Sequence, residues 1–392
     1  MGTIHDNLAT NFGDNILNRL RTGNSDIQQI FSTKIIKSAD WDWPRPDYVC
    51  IDEELKCSYA LEFKPPHQSK REYMTGLGQA ISYLQKHLYS GLIIPMIADD
   101  GFKIADFIAA SLKADEFKKI ALSLYCYNPS NIDSGVSLLR GIEEKRDSSK
   151  VKAIDINKIE TFWCWWRDCS QYELFNLLEL GFLYNDYDGD IYTDKIYPKF
   201  YERLVTKSTK QWNGVPREKK DSEKSRKSEK QNYKIPLTQL ELWNEGHLTD
   251  LGFKMLEIGK KYGPNSEAFI NALGYLILVN GKHLELIKDF ELFQKEQETK
   301  IPTKSKDFLL RVEKYLTDKG RIGSRKPTAI TTNAKTTYIR DEPKLWNKLD
   351  ILQMSRKNNY FFEKEGYKFN WHKISDILIS GSQLLNKERI II

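Results

Sequence analysis

At 392 residues the chain exceeds the usual size of one domain, and its 40% hydrophobic and 12% aromatic content excludes a wholly disordered protein. Its longest apolar runs, such as Gly91–Ala98, are too short to span a bilayer, and Met1–Thr10 lacks the basic-then-apolar pattern of a secretory signal; no membrane partner and a cytoplasmic location are expected. Five cysteines without a CxxC pair weigh against a disulfide framework or a structural zinc, and the net charge of +6 is compatible with a nucleic-acid partner without requiring one.

From the N-terminus, Phe12–Leu20 carries apolar residues at helical spacing and ends near Gly23. Ile30–Ile36, Asp47–Ile51 and the alternating Ser58–Phe63 read as strands. Tyr73–Tyr89 reads as a long helix. Leu92–Ala98 is a continuously apolar strand of the kind covered on both faces, Phe102–Leu112 a further helix and Ile120–Tyr127 a last strand. The order α, three strands, α, β, α, β predicts an α/β core, a mixed sheet flanked by helices, within residues 1–150.

Residues 151–392 are expected to be mostly helical. Gln171–Leu180 is helical in pattern, Gly181–Tyr192 reads as a β-ribbon with Asn185, Asp188 and Gly189 at turn positions, and Leu240–Gly263 repeats a helix, a short turn and LTxxGxxxLxxxG. A helix followed by a short hairpin is the outline of a winged-helix-like DNA-recognition region. Arg217–Lys234, with 8 basic and 4 acidic residues, is expected as a flexible charged loop. Residues 301–345 hold 11 Lys/Arg against 5 Asp/Glu, a local +6. Lys304, Arg321, Arg325, Lys326, Lys335 and Arg340 are the candidates there for DNA phosphate contacts, with a solvated surface as the alternative use of the same charge.

Chemistry concentrates in Arg45-Pro46-Asp47 and, after 14 intervening residues, Glu62-Phe63-Lys64. The period of two on SYALEFK puts Glu62 and Lys64 on one face and buries Leu61 and Phe63 on the other. A strand bearing Asp47, paired antiparallel through the Asp52–Lys56 turn, brings a second carboxylate beside Glu62. Asp47, Glu62 and the Phe63 backbone carbonyl then form an all-oxygen set of the kind Mg2+ accepts. Such an ion activates water and offsets charge in phosphodiester hydrolysis, with Lys64 placed to orient the water or hold a phosphate oxygen. The alternative is a cross-strand ion pair on a solvated face, against which Pro65-Pro66 ends the strand just after Lys64.

Pro46-Asp47 followed by Glu62-Phe63-Lys64, with a helix before and a strand after, resembles the PD-(D/E)XK nuclease superfamily and, within it, type II restriction endonucleases. Gln79 and Tyr83, four apart in GQAISYL, are similar to a Q-x-x-x-Y helix motif of several of its branches. The resemblance covers about the first third of the chain. It implies catalysis by Asp47, Glu62 and Lys64 with Mg2+, support from Gln79, Tyr83 and an acidic residue on the first helix (Asp14 is the candidate), and a partner DNA methyltransferase. Cutting both strands of double-stranded DNA needs two active sites, hence a homodimer. The alternatives are a non-catalytic DNA-binding regulator, an interaction protein, and a repair or defence nuclease without fixed sequence specificity. Among the remaining features, Phe162–Trp166 (FWCWW) fits an interdomain core better than base stacking, Asp186, Asp188 and Asp190 fit a turn rather than a calcium loop, and His67 to Arg71 fit a polar loop leading into a helix.

Overall fold

Two kinds of strand connection build the first sheet: short turns where the chain reverses, and helix-bearing crossovers where it returns in parallel. A computed structural model describes the chain apart from residues 1, 25, 26, 28, 29, 42, 148–160, 167, 168, 219, 220, 245, 298–300, 324–338, 357, 358 and 387–392. It divides into one unit of Met1–Phe162 with Leu316–Lys326 and another of Trp163–Tyr315 with Pro327–Ile392. The expected boundary near 150 falls outside the described residues.

The first unit runs α1 (Gly2–Arg21), β1 (Ile35–Ser38), β2 (Tyr48–Asp52), β3 (Cys57–Phe63), α2 (Lys70–Tyr83), β4 (Tyr89–Pro95), α3 (Ile104–Ser111), β5 (Leu122–Tyr127) and β6 (Val136–Arg140). The strands form one mixed sheet in sequence order, antiparallel from β1 to β3, parallel from β3 to β5, and antiparallel again at β6. The expected α/β core is therefore present, with β6 as an added edge. Alternation along β3 decides which helix covers which face. Tyr59, Leu61 and Phe63 pack with Phe12, Ile16 and Leu20 of α1, while Tyr73, Leu77 and Ala80 of α2 pack with Leu92, Ile94, Leu122 and Leu124 on the other face. Each such apolar side chain contributes roughly 1.5–3 kcal/mol on full burial.

Several boundaries differ from the sequence pattern. The helix expected over Tyr73–Tyr89 runs Lys70–Tyr83, and the strand expected over Leu92–Ala98 runs Tyr89–Pro95, so that Tyr89 already belongs to β4. Two further differences have identifiable reasons. The first strand starts at Ile35 rather than Ile30 because Ser32 donates its amide and hydroxyl to the buried Asp52 carboxylate, at 2.5 and 2.8 Å, which bends the chain there. Helix α1 begins ten residues before Phe12. Its middle is clamped by charge. Asp14 accepts two bonds from Arg321 Nη1 at 2.6 and 2.8 Å and one from Tyr48, with Lys37 Nζ at 3.7 Å. Arg321 also lies over the Phe162 ring at 4.5 Å. Beside it, Gly320 accepts the Lys37 amide at 2.7 Å and so covers part of the β1 edge.

The second unit contains α4 (Gln171–Leu183), a π-helical turn (Tyr192–Ile196), α5 (Tyr197–Val205), α6 (Glu223–Gln239), a hairpin of β7 (Trp243–Asn244) and β8 (His247–Leu248), α7 (Asp250–Tyr262), α8 (Glu267–Leu278), α9 (His283–Glu296), α10 (Ser305–Asp318) up to Tyr315, α11 (Glu342–Lys348), a hairpin of β9 (Phe361–Phe362) and β10 (Gly366–Tyr367), and α12 (Trp371–Leu385). It is mostly helical, as the pattern indicates. The expected ribbon at Gly181–Tyr192 is not formed. Gly181 continues α4, where its bare Cα admits Leu248; an added Cβ would stand 3.0 Å from Leu248 Cδ2. The expected flexible loop at Arg217–Lys234 is instead helical from Glu223. Ser222 caps the helix through the Ser225 amide, Tyr233 and Leu237 are buried, and Tyr192 donates to the Lys230 carbonyl at 2.6 Å. Of its charges, Glu223, Arg226 and Lys227 are exposed, Lys230 and Lys234 half-buried and Glu229 buried.

The Asp14–Arg321 pair should act as a structural clamp. Arg321→Ala is expected to lower the unfolding free energy by about 1.5–3 kcal/mol, the usual range for hydrogen bonds to charged groups. Urea denaturation of Arg321→Ala, Asp14→Ala and the double variant checks this; additive losses would show that the two side chains do not cooperate.

Candidate active site at the end of β3

The side chains of interest gather at the C-terminal end of β3, where it runs parallel to β4, the end of an α/β sheet at which sites are commonly built. Pairing of Tyr48 with Leu61 sets Asp47, one residue before β2, opposite Glu62. Asp47 is fixed there by the Phe63 amide, which donates to its Oδ2 at 2.8 Å. Glu62 faces α2 and is only 3% exposed. Its Oε1 lies 2.9 Å from Lys64 Nζ, and its Oε2 accepts the Tyr83 hydroxyl. Lys64 Nζ also donates to Gln79 Oε1 at 2.7 Å, so the ammonium bridges a carboxylate and an amide oxygen.

Each partner arrives by helical or strand periodicity. Gln79 and Tyr83 are four apart on α2 and therefore share a face. Gly76, one turn earlier, leaves room for the lysine stem; a Cβ there would stand 2.6 Å from Lys64 Cε and 2.8 Å from its Cγ. That accommodation explains a mid-helix glycine, which costs about 1 kcal/mol against alanine. The Lys64 backbone is held on both sides, its amide donating to Ile93 O at 2.9 Å and its carbonyl accepting Tyr127 Oη at 3.0 Å.

Burial, and then the negative charge of Asp47, push the Glu62 carboxyl up to about 7 from 4.5, although Lys64 and Tyr83 pull the other way. Tyr83 is itself pushed well above the ordinary phenol range by burial and by Glu62. His5, on the first turns of α1, was not singled out by its sequence context. Its Nε2 lies 3.2 Å from the Phe63 carbonyl oxygen and 3.7 Å from Asp47 Oδ2, while Nδ1 lies 3.4 Å from Asp6. Burial lowers its pKa, but the Asp6 contact and the charges of Asp47 and Asp6 more than offset that and raise it overall.

Asp14, the acidic residue expected from α1, is not brought here. It lies nine residues beyond His5, about 13.5 Å along the helix axis, and is engaged by Arg321. Arg321 is 7% exposed and so occupied, not a surface phosphate contact. Lys304 is exposed, and Arg340 is exposed with its guanidinium on Asp341. Arg325, Lys326 and Lys335 lie outside the described residues. Ser58, His87 and Asp40 line up with contacts of 3.2 and 3.1 Å, but Ser58 and His87 are buried and brace the start of β3 rather than offer a nucleophile.

Among the described residues no group of three His, Cys, Asp or Glu side chains is placed to hold a metal ion. The donors fit a divalent ion in chemistry. Asp47 and the Phe63 carbonyl already converge on one visitor, the His5 imidazole, and Glu62 adds a hard oxygen whose ionisation a nearby cation would favour. The chain matches no protein-family model and no curated protein sequence. Among the described residues no helix is long and apolar enough to cross a membrane.

A carboxyl that titrates near 7 in the fold and near 4.5 unfolded destabilises as it ionises. This cost is absent below pH 4.5, grows as pH rises and is complete above 7. Glu62→Gln cannot ionise. With chelator present, the unfolding free energy of the variant relative to wild type should therefore rise between pH 4.5 and pH 8 by on the order of 1–3 kcal/mol. A difference that stays flat across that range would show that burial does not perturb Glu62.

Proposed function

We propose that the chain is a metal-dependent DNA endonuclease of the PD-(D/E)XK type, resembling type II restriction enzymes, with its reaction at Asp47, Glu62 and Lys64. The observation that carries the reading is the meeting of two carboxylates and a lysine at one strand end, with the lysine amine bound to both Glu62 and Gln79. A solvated cross-strand ion pair would have no reason to bury Glu62 or to recruit Tyr83 to its second oxygen.

Asp47, Glu62 and the Phe63 carbonyl would hold Mg2+, and the His5 imidazole, which donates to that carbonyl, would give up this place to the ion. When bound, the ion lowers the pKa of a water and polarises the scissile phosphate. The chain's own groups do the rest. The Lys64 ammonium donates two hydrogen bonds already and carries a third proton for the attacking water or a phosphate oxygen. Gln79 keeps that amine aimed, and Tyr83 holds the outer Glu62 oxygen in place. The mostly helical unit supplies DNA recognition, with the α6–hairpin–α7 succession as its winged-helix-like part. Two copies of the chain would cut the two strands, and a methyltransferase would protect host DNA.

The test is plasmid cleavage with Mg2+. Wild type should give discrete fragments, whereas chelator, Asp47→Ala, Glu62→Ala and Lys64→Ala should each lower the rate by at least 100-fold with the fold retained by circular dichroism. Mg2+ should also raise the melting temperature of wild type and not of Asp47→Ala. A smear of products would favour a non-specific defence nuclease. Binding without cutting on several diverse DNAs, and no melting shift with metal, would leave a DNA-binding regulator.

A further inference from the structure

A second concave site lies wholly within the helical unit. It encloses about 430 Å³, within the roughly 300–1,000 Å³ usual for small-molecule sites. One wall is made of Trp165 and Trp166, the other of Arg340, Asp341, Lys344 and Lys348 on and just before α11.

Its walls are built, not incidental. Glu342 is 2% exposed, and its two oxygens accept Trp163 Nε1 at 2.9 Å and the Asp341 amide at 3.1 Å, tying the tryptophan stretch to the start of α11. His283 Nδ1 accepts Trp346 Nε1 at 3.1 Å, because an indole N–H only donates. Its Nε2 therefore carries the proton and donates to the Cys164 carbonyl at 2.8 Å, and burial lowers its pKa to about 4, which keeps this neutral bridge intact. Gln239 accepts the Trp165 amide at 2.8 Å. Three buried polar side chains thus tie down the stretch that carries Trp165 and Trp166, at the Trp163 indole, the Cys164 carbonyl and the Trp165 amide.

The cations are arranged with equal care. Asp341 accepts Arg340 Nη2 through Oδ2 and Lys344 Nζ through Oδ1, both at 2.8 Å, which holds the two basic groups side by side. Lys348, a turn further along α11, lies over the Trp212 ring at 5.6 Å. Three cations face one carboxylate in a cavity whose far wall is half-buried indole, Trp165. That pairing matches a ligand with a planar aromatic end and an anionic end.

We propose that this cavity binds a nucleotide unit, its base against Trp165 and its phosphate on Arg340, Lys344 and Lys348. The unit is either a free nucleotide or an unstacked residue of a single strand, which share this chemistry. Neither depends on cleavage at Asp47 and Glu62, so the site is testable in the presence of chelator.

The experiment is titration calorimetry on the full chain in EDTA, with dAMP, a single-stranded (dA)10, a blunt duplex and inorganic phosphate. Binding of dAMP supports the site as one for free nucleotides; binding of (dA)10 alone supports it as one for a strand. In either case Lys344→Gln, at a position whose side chain is 57% exposed and tolerant of change, should weaken binding several-fold and flatten its salt dependence. Trp165→Leu should weaken it about tenfold, as loss of one stacking partner does. Should Trp165→Leu fail to fold, Lys344→Gln and Lys348→Gln carry the test. Inorganic phosphate binding as tightly as dAMP, a duplex competing as well as the single strand, or variants that bind like wild type would each overturn the proposal.

Discussion

A carboxylate kept out of water next to a second carboxylate is the constraint around which the end of β3 is organised. Glu62 loses hydration on burial and meets the field of Asp47, and both effects oppose its charge. Three partners reduce the penalty without removing it: Lys64 on one oxygen, Tyr83 on the other, and Gln79 steadying the lysine. The geometry of α2 follows from this. Its polar face must carry Gln79 and Tyr83 one turn apart, and its Gly76 must give way to the lysine stem. A charge left only partly compensated is a place where a cation would be welcomed, and that incompleteness is what separates this cluster from an ordinary buried salt bridge.

Helix α1 serves the same end from the opposite face of the sheet. Phe12 stacks on Tyr127 with ring centroids 4.8 Å apart, and Tyr127 in turn holds the Lys64 carbonyl. Further along, Arg321 fixes Asp14 and so sets the position of the helix along its own axis. That clamp is what allows His5, at the free end, to meet both Asp47 and the Phe63 carbonyl. Packing, ion pair and imidazole are three links of one chain of constraint, running from Gly320 and Arg321 to the end of β3.

Period-two alternation in SYALEFK made the division of Glu62 and Lys64 from Leu61 and Phe63 legible, because a strand allows only two faces. Gln79 and Tyr83 stood out through their likeness to a Q-x-x-x-Y motif; helical spacing puts them on one face of α2 but does not say that this face meets Glu62. His5 was not, since the apolar pattern of α1 becomes regular only from Phe12, and the earlier turns are too polar to announce a helix. Asp14 read as a candidate because acidity on the first helix was the only criterion at hand; the guanidinium that engages it comes from a residue 307 positions away. No local pattern carries such a contact. The helix at Glu223–Gln239 was hidden by composition: one face bearing Tyr233 and Leu237 suffices to dock it, and charge elsewhere does not forbid that.

Counting charge along the chain proved a poor guide to where charge is available. The local +6 of residues 301–345 includes Arg321, buried against Asp14 and Phe162, and Arg340 and Lys344, both drawn to Asp341. The first is consumed by the fold, since its donors end on a carboxylate that is itself part of the α1 anchor. The other two are ordered by a single shared carboxylate, which leaves a net positive charge in a fixed place. A cation held in that manner spends less conformational entropy on meeting an anion than a free surface lysine does. What distinguishes a binding surface from a solvated one is therefore the scaffolding beneath it: Glu342, His283 and Gln239 are buried under the tryptophan wall, and surface charge alone would require none of them.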